Sequence, residues 1–483
     1  MLFILTAYLS SSCKKEQISP ISQEVAFVKY YGHVGSQTAT DVIETSDGGY
    51  ILLGSTNSYS AEKDMDILVV KTDSLGNELW SSSFGRAAEN LLGDNLRFSE
   101  KGIRIIELPD LSGYILAANR TYVSYPTATS SNETGSNQET KIVLYELDHA
   151  TGTPLTQEGV ELKQSTYKLF TEEVSDMKID TTNGDFKYVL TGYTTDIQPN
   201  KPNDNDNGAL DKTDIFTAVL NRQFAIQWTT SSLAYGFPRA DYGTSVQILD
   251  DGYLICGTSE EKTNTGSQDP ILLPRIITVL MEKSGGTPLN VSYFTAAGYH
   301  FEGGYSVHDA DNGVITVAAH ILNGGTSGNE GKIALLQITE DLVAVTPGGD
   351  ASTNCLYYDL GTRTNKTSGG EHKVASIALV PGNNGFIVSS TQGVSEANFE
   401  SDICVTKFNK DLEIEKDWPY FFGYADADKL VLTKDEAGSI IPVTSGSGNQ
   451  ITVSGYIFAG KFGLGTNEMM GLVRLNLNGR LIP

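Results

Sequence analysis

Residues 41–85 read DVIETSDGGYILLGSTNSYSAEKDMDILVVKTDSLGNELWSSSFG, and weaker copies of this unit fill the rest of the chain. A repeat of this kind outranks chain length as a guide to architecture, so one large repeat domain is expected in place of several unrelated ones. The unit holds four apolar runs, at 41–45, 50–54, 67–71 and 79–85, each of ordinary strand length. Between them, Ser46-Asp47-Gly48-Gly49 and Asp73-Ser74-Leu75-Gly76-Asn77 supply residues that tolerate a positive φ, so the first and third connections are predicted to be tight hairpins. The second connection is long and polar. The unit reads as a four-stranded antiparallel meander.

The second-strand pattern returns at 113–117, 188–192, 252–257, 313–317, 385–388 and 450–455, making seven copies with the first. The third-strand pattern keeps step with it at 141–147, 214–220, 275–281, 332–338, 402–408 and 470–475. The fourth, an aromatic residue followed by Gly, ends at Gly85, Gly236, Gly298, Gly361 and Gly423 and is degenerate around 153–162. The last copy has no such strand after Gly479, yet an unattached one, VAFVKYYG, stands at 25–32 ahead of the first repeat. That offset is what a closed ring requires, with the opening strand completing the last sheet and hiding an edge. Runs such as ILVV and YILL are apolar at consecutive positions, so both faces of those strands should be covered. The expectation is an all-β, seven-bladed β-propeller over residues 24–483, closed by the amino-terminal strand; a linear array of sheets would leave the offset unexplained.

Composition then limits the partners. With 34 Lys and Arg against 59 Asp and Glu, the net charge of −25 repels phosphate backbones, which excludes nucleic acid. The segment MLFILTAYLSSS at 1–12, followed by Cys13-Lys14-Lys15-Glu16, resembles the end of a bacterial lipoprotein signal peptide with its lipobox. The resemblance implies cleavage before Cys13, acylation of Cys13, and a short tether over 13–23, which gives a membrane partner through the lipid and an outer-membrane address facing the periplasm or the exterior. The alternative is a plain secretory signal with an incidental cysteine. About a dozen apolar residues are too few to cross a hydrocarbon core of roughly 30 Å. Cys256, Cys355 and Cys404 lie inside apolar runs and read as buried small hydrophobes.

In the order DGGYIL-G-T, D-L-V-K-D-G and W-FG, the repeat also resembles a family of propeller-like repeats of exported Bacteroidetes proteins. The resemblance covers nearly all of the chain after Gln23 and implies a propeller and export; it brings no catalytic residues.

In such a blade the tight turns share one face of the ring and the long insertions share the other, which in repeat proteins is the usual binding face. The links between blades on that face carry His33, Arg86, Arg239, Asp241, Tyr242, His300, Glu302, Arg363, His372, Tyr424 and Asp426, the side chains best suited to hold a ligand. Asp241 and Glu302 precede Ser245 and Ser306 by the same spacing, which also suits a hydrogen-bond strut repeated between blades. Asn203, Asn205, Asn207 and Asp214 resemble a calcium loop, with oxygen ligands at alternate positions before Gly208; a polar insertion without an ion accounts for the same residues and needs no flanking helices. No other cofactor is implied. The sequence has no H-E-x-x-H, G-x-S-x-G or P-loop motif. The expected function is a monomeric, envelope-anchored module that binds a glycan or a surface protein through the loop-rich face; the alternative is a glycan hydrolase or lyase with its site at the channel.

Overall fold

The computed structural model describes residues 26–58, 64–91, 94–125, 138–162, 171–184, 186–195, 213–230, 240–263, 271–294, 300–322, 332–346, 354–362, 372–382, 384–393, 401–423, 434–446 and 451–481. The chain is an all-β, seven-bladed propeller of antiparallel sheets. Its first blade runs outward from the axis as Gln37–Glu44, Tyr50–Thr56, Asp66–Thr72 and Glu78–Phe84. Tyr50–Thr56 is buried at every position and Glu78–Phe84 at none, as expected where the middle strands are covered on both faces and the outer strand meets water. The second blade adds a short strand, Glu89–Leu91, beside its inner strand, and its outer strand is reduced to Val160–Glu161, the degenerate stretch of the sequence. In the seventh sheet the outer position is taken by Phe27–Tyr31, antiparallel to Asn467–Leu475 with Phe27 opposite Arg474 and Tyr31 opposite Met470. The Tyr31 hydroxyl donates to the Gly76 carbonyl in the first blade at 2.7 Å.

The hairpins form for the reason the sequence suggests. Gly48 and Gly76 have φ of 78° and 74°, and Asp73 Oδ1 accepts from the backbone N–H of Leu75 and Asn77 at 2.9 and 2.8 Å. Asn221, Asn409 and Asn476 make the same pair of bonds in later blades, so a short polar side chain fixes the third turn in four of the seven blades.

There is no single core. Buried apolar side chains fall into seven clusters, each shared by two neighbouring blades. Ile51, Leu53 and Val69 of the first blade, for example, pack on Tyr114, Leu116 and Tyr145 of the second. Within a blade the second strand approaches the inner strand closely enough at its bulge that some positions admit only glycine. A Cβ on Gly54, Gly192 or Gly257, the glycine that ends the second-strand pattern in three blades, would lie 1.8, 1.8 or 1.9 Å from a carbonyl oxygen of the inner strand.

All seven inner strands share one irregularity. Each carries a register shift near its start, between Ala39 and Asp41, Gly102 and Arg104, Val174 and Asp176, Gly243 and Ser245, Gly303 and Tyr305, Val374 and Ser376, and Ala437 and Ile440. Bulges of this kind bend a strand and re-aim the side chains beside it. Replacing Gly257 by Ala should destabilise the chain by about 2 kcal/mol through overpacking, read as a lower urea midpoint. Gly285→Ala, at an open site with nothing within 4 Å, should leave the midpoint unchanged.

Candidate functional site

The site follows from the period of two along the inner strands. Two places before the residue that opens each bulge, Gln37, Glu100, Glu172, Asp241, Phe301, His372 and Asp435 are buried. The residue after each is more exposed, giving a ring of Thr38, Lys101, Glu173, Tyr242, Glu302, Lys373 and Glu436. Five of these seven, all but Tyr242 and Glu302, line a cavity of about 970 Å³. Its wall also takes in Ser55, Asn119, Thr121 and Thr391 from the ends of second strands that lead into the long insertions, so the cavity opens at the loop-rich end of the channel.

Below the ring, side chains at several of the bulges tie one blade to the next. Asp41 Oδ2 accepts from Ile105 N–H at 3.0 Å, Asp176 Oδ2 from Val246 N–H at 3.0 Å, and Ser439 Oγ from Val42 N–H at 2.7 Å. Arg104 lies between two of these acids, with Nε 2.8 Å from Asp176 and Nη1 3.9 Å from Asp41. Burial pushes the Asp41 carboxyl up, while Arg104 and the Ile105 N–H pull it back toward the ionised form. A second set of ties comes from the second strands: Ser55, Asn119, Thr258 and Thr391 accept from the N–H of Gly102, Val174, Gly303 and Ala437 at 3.2, 2.8, 2.9 and 3.0 Å.

Measured against this geometry, none of the described residues singled out by sequence lines the cavity. His33 is exposed ahead of the first inner strand. Arg86 lies 4.5 Å from the centre of the Phe98 ring and bonds to the Tyr122 hydroxyl and Glu161, which makes it a strap between the first two blades. Asp241 is fully buried opposite Ser259. Tyr242 packs edge-on against Tyr193 with ring centres 5.2 Å apart. Glu302 accepts from His320 Nε2 at 3.3 Å, a bond that holds its carboxyl below the usual range. His372 is buried, with Nε2 donating to the Gly361 carbonyl at 2.8 Å. His300 begins an inner strand opposite Leu322. Asp214 is buried at the start of Asp214–Asn221, and among the described residues no group of three His, Cys, Asp or Glu could hold a metal. Arg239, Arg363, Tyr424, Asp426, Asn203, Asn205, Asn207 and Cys13 lie outside the described residues.

The register also corrects the equivalence of Asp241 and Glu302. Each inner strand steps at its glycine before the bulge, Gly243 or Gly303, so Glu302 matches Tyr242 and Asp241 matches Phe301. A shift of one residue puts them on opposite faces. The struts are therefore carried by the later position, where Ser245 Oγ lies 2.7 Å from Ser306 Oγ and donates to the Gly304 carbonyl at 2.6 Å. Sequence reasoning missed Lys101, Glu173, Lys373 and Glu436. Their signal is a polar residue four places before an apolar one, with a small or apolar residue next and Asp, Arg or Ser third, as in Lys101-Gly102-Ile103-Arg104-Ile105 and Glu436-Ala437-Gly438-Ser439-Ile440.

No protein-family model matches the sequence, and the search of characterised proteins returned no relative. Solved structures similar in fold include α-L-arabinanase of Penicillium chrysogenum, 12% identical over 93% of this chain and 99% of that one with a TM-score of 0.38. Another is quinohemoprotein alcohol dehydrogenase of Comamonas testosteroni, 9% identical over 93% and 76% with a TM-score of 0.39. A third is the N10 neuraminidase-like protein of A/little yellow-shouldered bat/Guatemala, 12% identical over 74% and 91% with a TM-score of 0.34. Likeness this low carries no argument about activity.

Arg104→Ala would leave two buried carboxylates without their cation and should lower stability by about 3 to 5 kcal/mol. Lys101→Ala, exposed on the ring above, should change it by less than about 0.5 kcal/mol in the same denaturation experiment. Burial holds the His372 pKa below its ordinary value, so the unfolded chain binds this proton more readily than the folded one. The stabilisation is complete above the unfolded value of about 6.5 and is lost as pH falls below it. Urea midpoints between pH 7 and 5 should fall for the native chain and fall less steeply for His372→Gln.

Proposed function

We propose that this chain is an envelope-anchored binding module that takes a glycan at the loop-rich mouth of its channel. The observation that carries the reading is the chemistry of the cavity wall. Thr38, Thr40, Ser55, Thr121, Thr391 and Ser401 line it with hydroxyl groups, and Asn119 adds an amide. Among the described residues Tyr305 is the one aromatic in the wall. Protein interfaces draw most of their energy from desolvated Trp, Tyr and Arg anchors, whereas a hydroxyl-rich hollow suits a polyhydroxylated ligand that trades its water for many directed hydrogen bonds. The one arginine in the wall among the described residues, Arg104, is already committed to Asp41 and Asp176. The lipid on Cys13 would supply attachment, since three acyl chains at about 0.8 kcal/mol per buried methylene hold a chain essentially permanently.

Titration of the soluble chain against a panel of defined oligosaccharides tests the reading. Binding is expected for at least one glycan without turnover, and Ala375→Trp, which fills the cavity from the bulge of the sixth blade, should abolish it while leaving the unfolding midpoint in place. Undiminished binding by Ala375→Trp would move the site elsewhere, and cleavage of a bound glycan would replace the module with a hydrolase or lyase. In fractionated cells, Cys13→Ser should pass from the membrane to the soluble fraction.

A further inference from the structure

The chain as a whole is strongly acidic, with 59 acidic against 34 basic residues, yet among the described residues the cavity wall reverses the balance: five basic side chains, Lys101, Arg104, Lys373, Lys434 and Lys461, stand against Glu100, Glu173 and Glu436. The acids are largely engaged. Glu100 is buried against Arg120, Glu436 accepts from Lys461 at 2.6 Å, and, beyond the effect of burial, Glu173 lies close enough to Tyr193 to push its hydroxyl pKa up. Two of the bases are engaged as well, Arg104 by Asp41 and Asp176, and Lys461 by Glu436 and Glu468 at 2.6 and 3.3 Å.

Among the described residues three cations are left over. Lys101, Lys373 and Lys434 are exposed and none of them forms a close ion pair there, although the charge of Lys373 is felt by Glu302 on the neighbouring blade. They come from different sides of the ring: Lys101 and Lys373 hold equivalent positions in the second and sixth blades, and Lys434 lies in the link entering the seventh. Like charges gathered around a concave wall repel one another, and such a wall focuses their field into the hollow, so an incoming anion is attracted there although the remaining surface repels it.

Resting on the glycan reading above, we infer that the ligand is an acidic saccharide whose carboxylate or sulfate groups are held by Lys101, Lys373 and Lys434 while the wall hydroxyls receive its sugar hydroxyls. Lysine, a point charge with three freely turning donors, takes either anion without the planar fit arginine would impose. Surrounding acids keep other polyanions at a distance, which makes the hollow selective for a ligand that enters it.

The test uses two matched pairs on the full soluble chain, oligogalacturonate with its methyl ester and dextran sulfate with dextran. At least one acidic member is expected to bind about tenfold more tightly than its neutral twin, with affinity falling as sodium chloride rises from about 50 to 300 mM. The triple variant Lys101→Gln, Lys373→Gln, Lys434→Gln should fold with an unchanged midpoint and lose that preference. Equal binding of acidic and neutral twins overturns the charge inference and leaves the glycan module standing. A preference that survives in the triple variant overturns it too, and poly-glutamate binding with the same lysine dependence reassigns the site to an acidic peptide. If no saccharide of either kind binds, both readings fall.

Discussion

The structure depends on how its innermost strands dispose of their free edges. Apart from the second blade, a strand next to the axis pairs with a strand on one side only, so the N–H groups facing inward need partners from outside the sheet. Here Val42, Ile105 and Val246 donate instead to Ser439, Asp41 and Asp176 of the preceding blade. The acceptors can reach because a bulge displaces each strand just before them. One local irregularity thus satisfies backbone donors and joins blades in register, and Arg104 neutralises two of the acids it brings together.

This arrangement divides the charged residues into two populations. One is tied down: Arg120 with Glu100 and Glu161, Arg104 with its two aspartates, Lys71 with Asp47 and Thr45. These groups hold blades or turns in place and have little freedom to meet a ligand. The other, Lys101, Lys373 and Lys434, stands exposed at the mouth. Burial separates the two, and the separation repeats every second residue along the inner strands.

Much of this was legible in the sequence, and the limit has a physical cause. Glycine and aspartate at the hairpins, consecutive apolar residues in the middle strands and the sevenfold recurrence all act locally, so residues 41–85 announce a blade and the later copies count the others. The bulge is different, because an extra residue in one strand alters no composition and breaks no apolar run. It nevertheless decides which side of the strand faces the axis. Asp241 and Glu302 look equivalent by spacing from Ser245 and Ser306, yet one is buried between blades and the other belongs to the channel ring. Arg86 and His372 are reactive by type, yet both are packed into the frame, the first on Phe98 and the second on Gly361. Side-chain chemistry alone does not distinguish a group held by the scaffold from one offered to solvent.

The alternation at the mouth has a bearing on how such a protein can diverge. Each ring residue sits on its own strand, and what fixes that strand is the buried neighbour one place earlier together with the tie three places later. Thr38, Lys101, Glu173 and their counterparts could therefore change singly, through point mutation, with no repacking inside the blades. Exposed positions such as Lys101 and Lys373, carried on a rigid frame, could in this way alter specificity without loss of the fold.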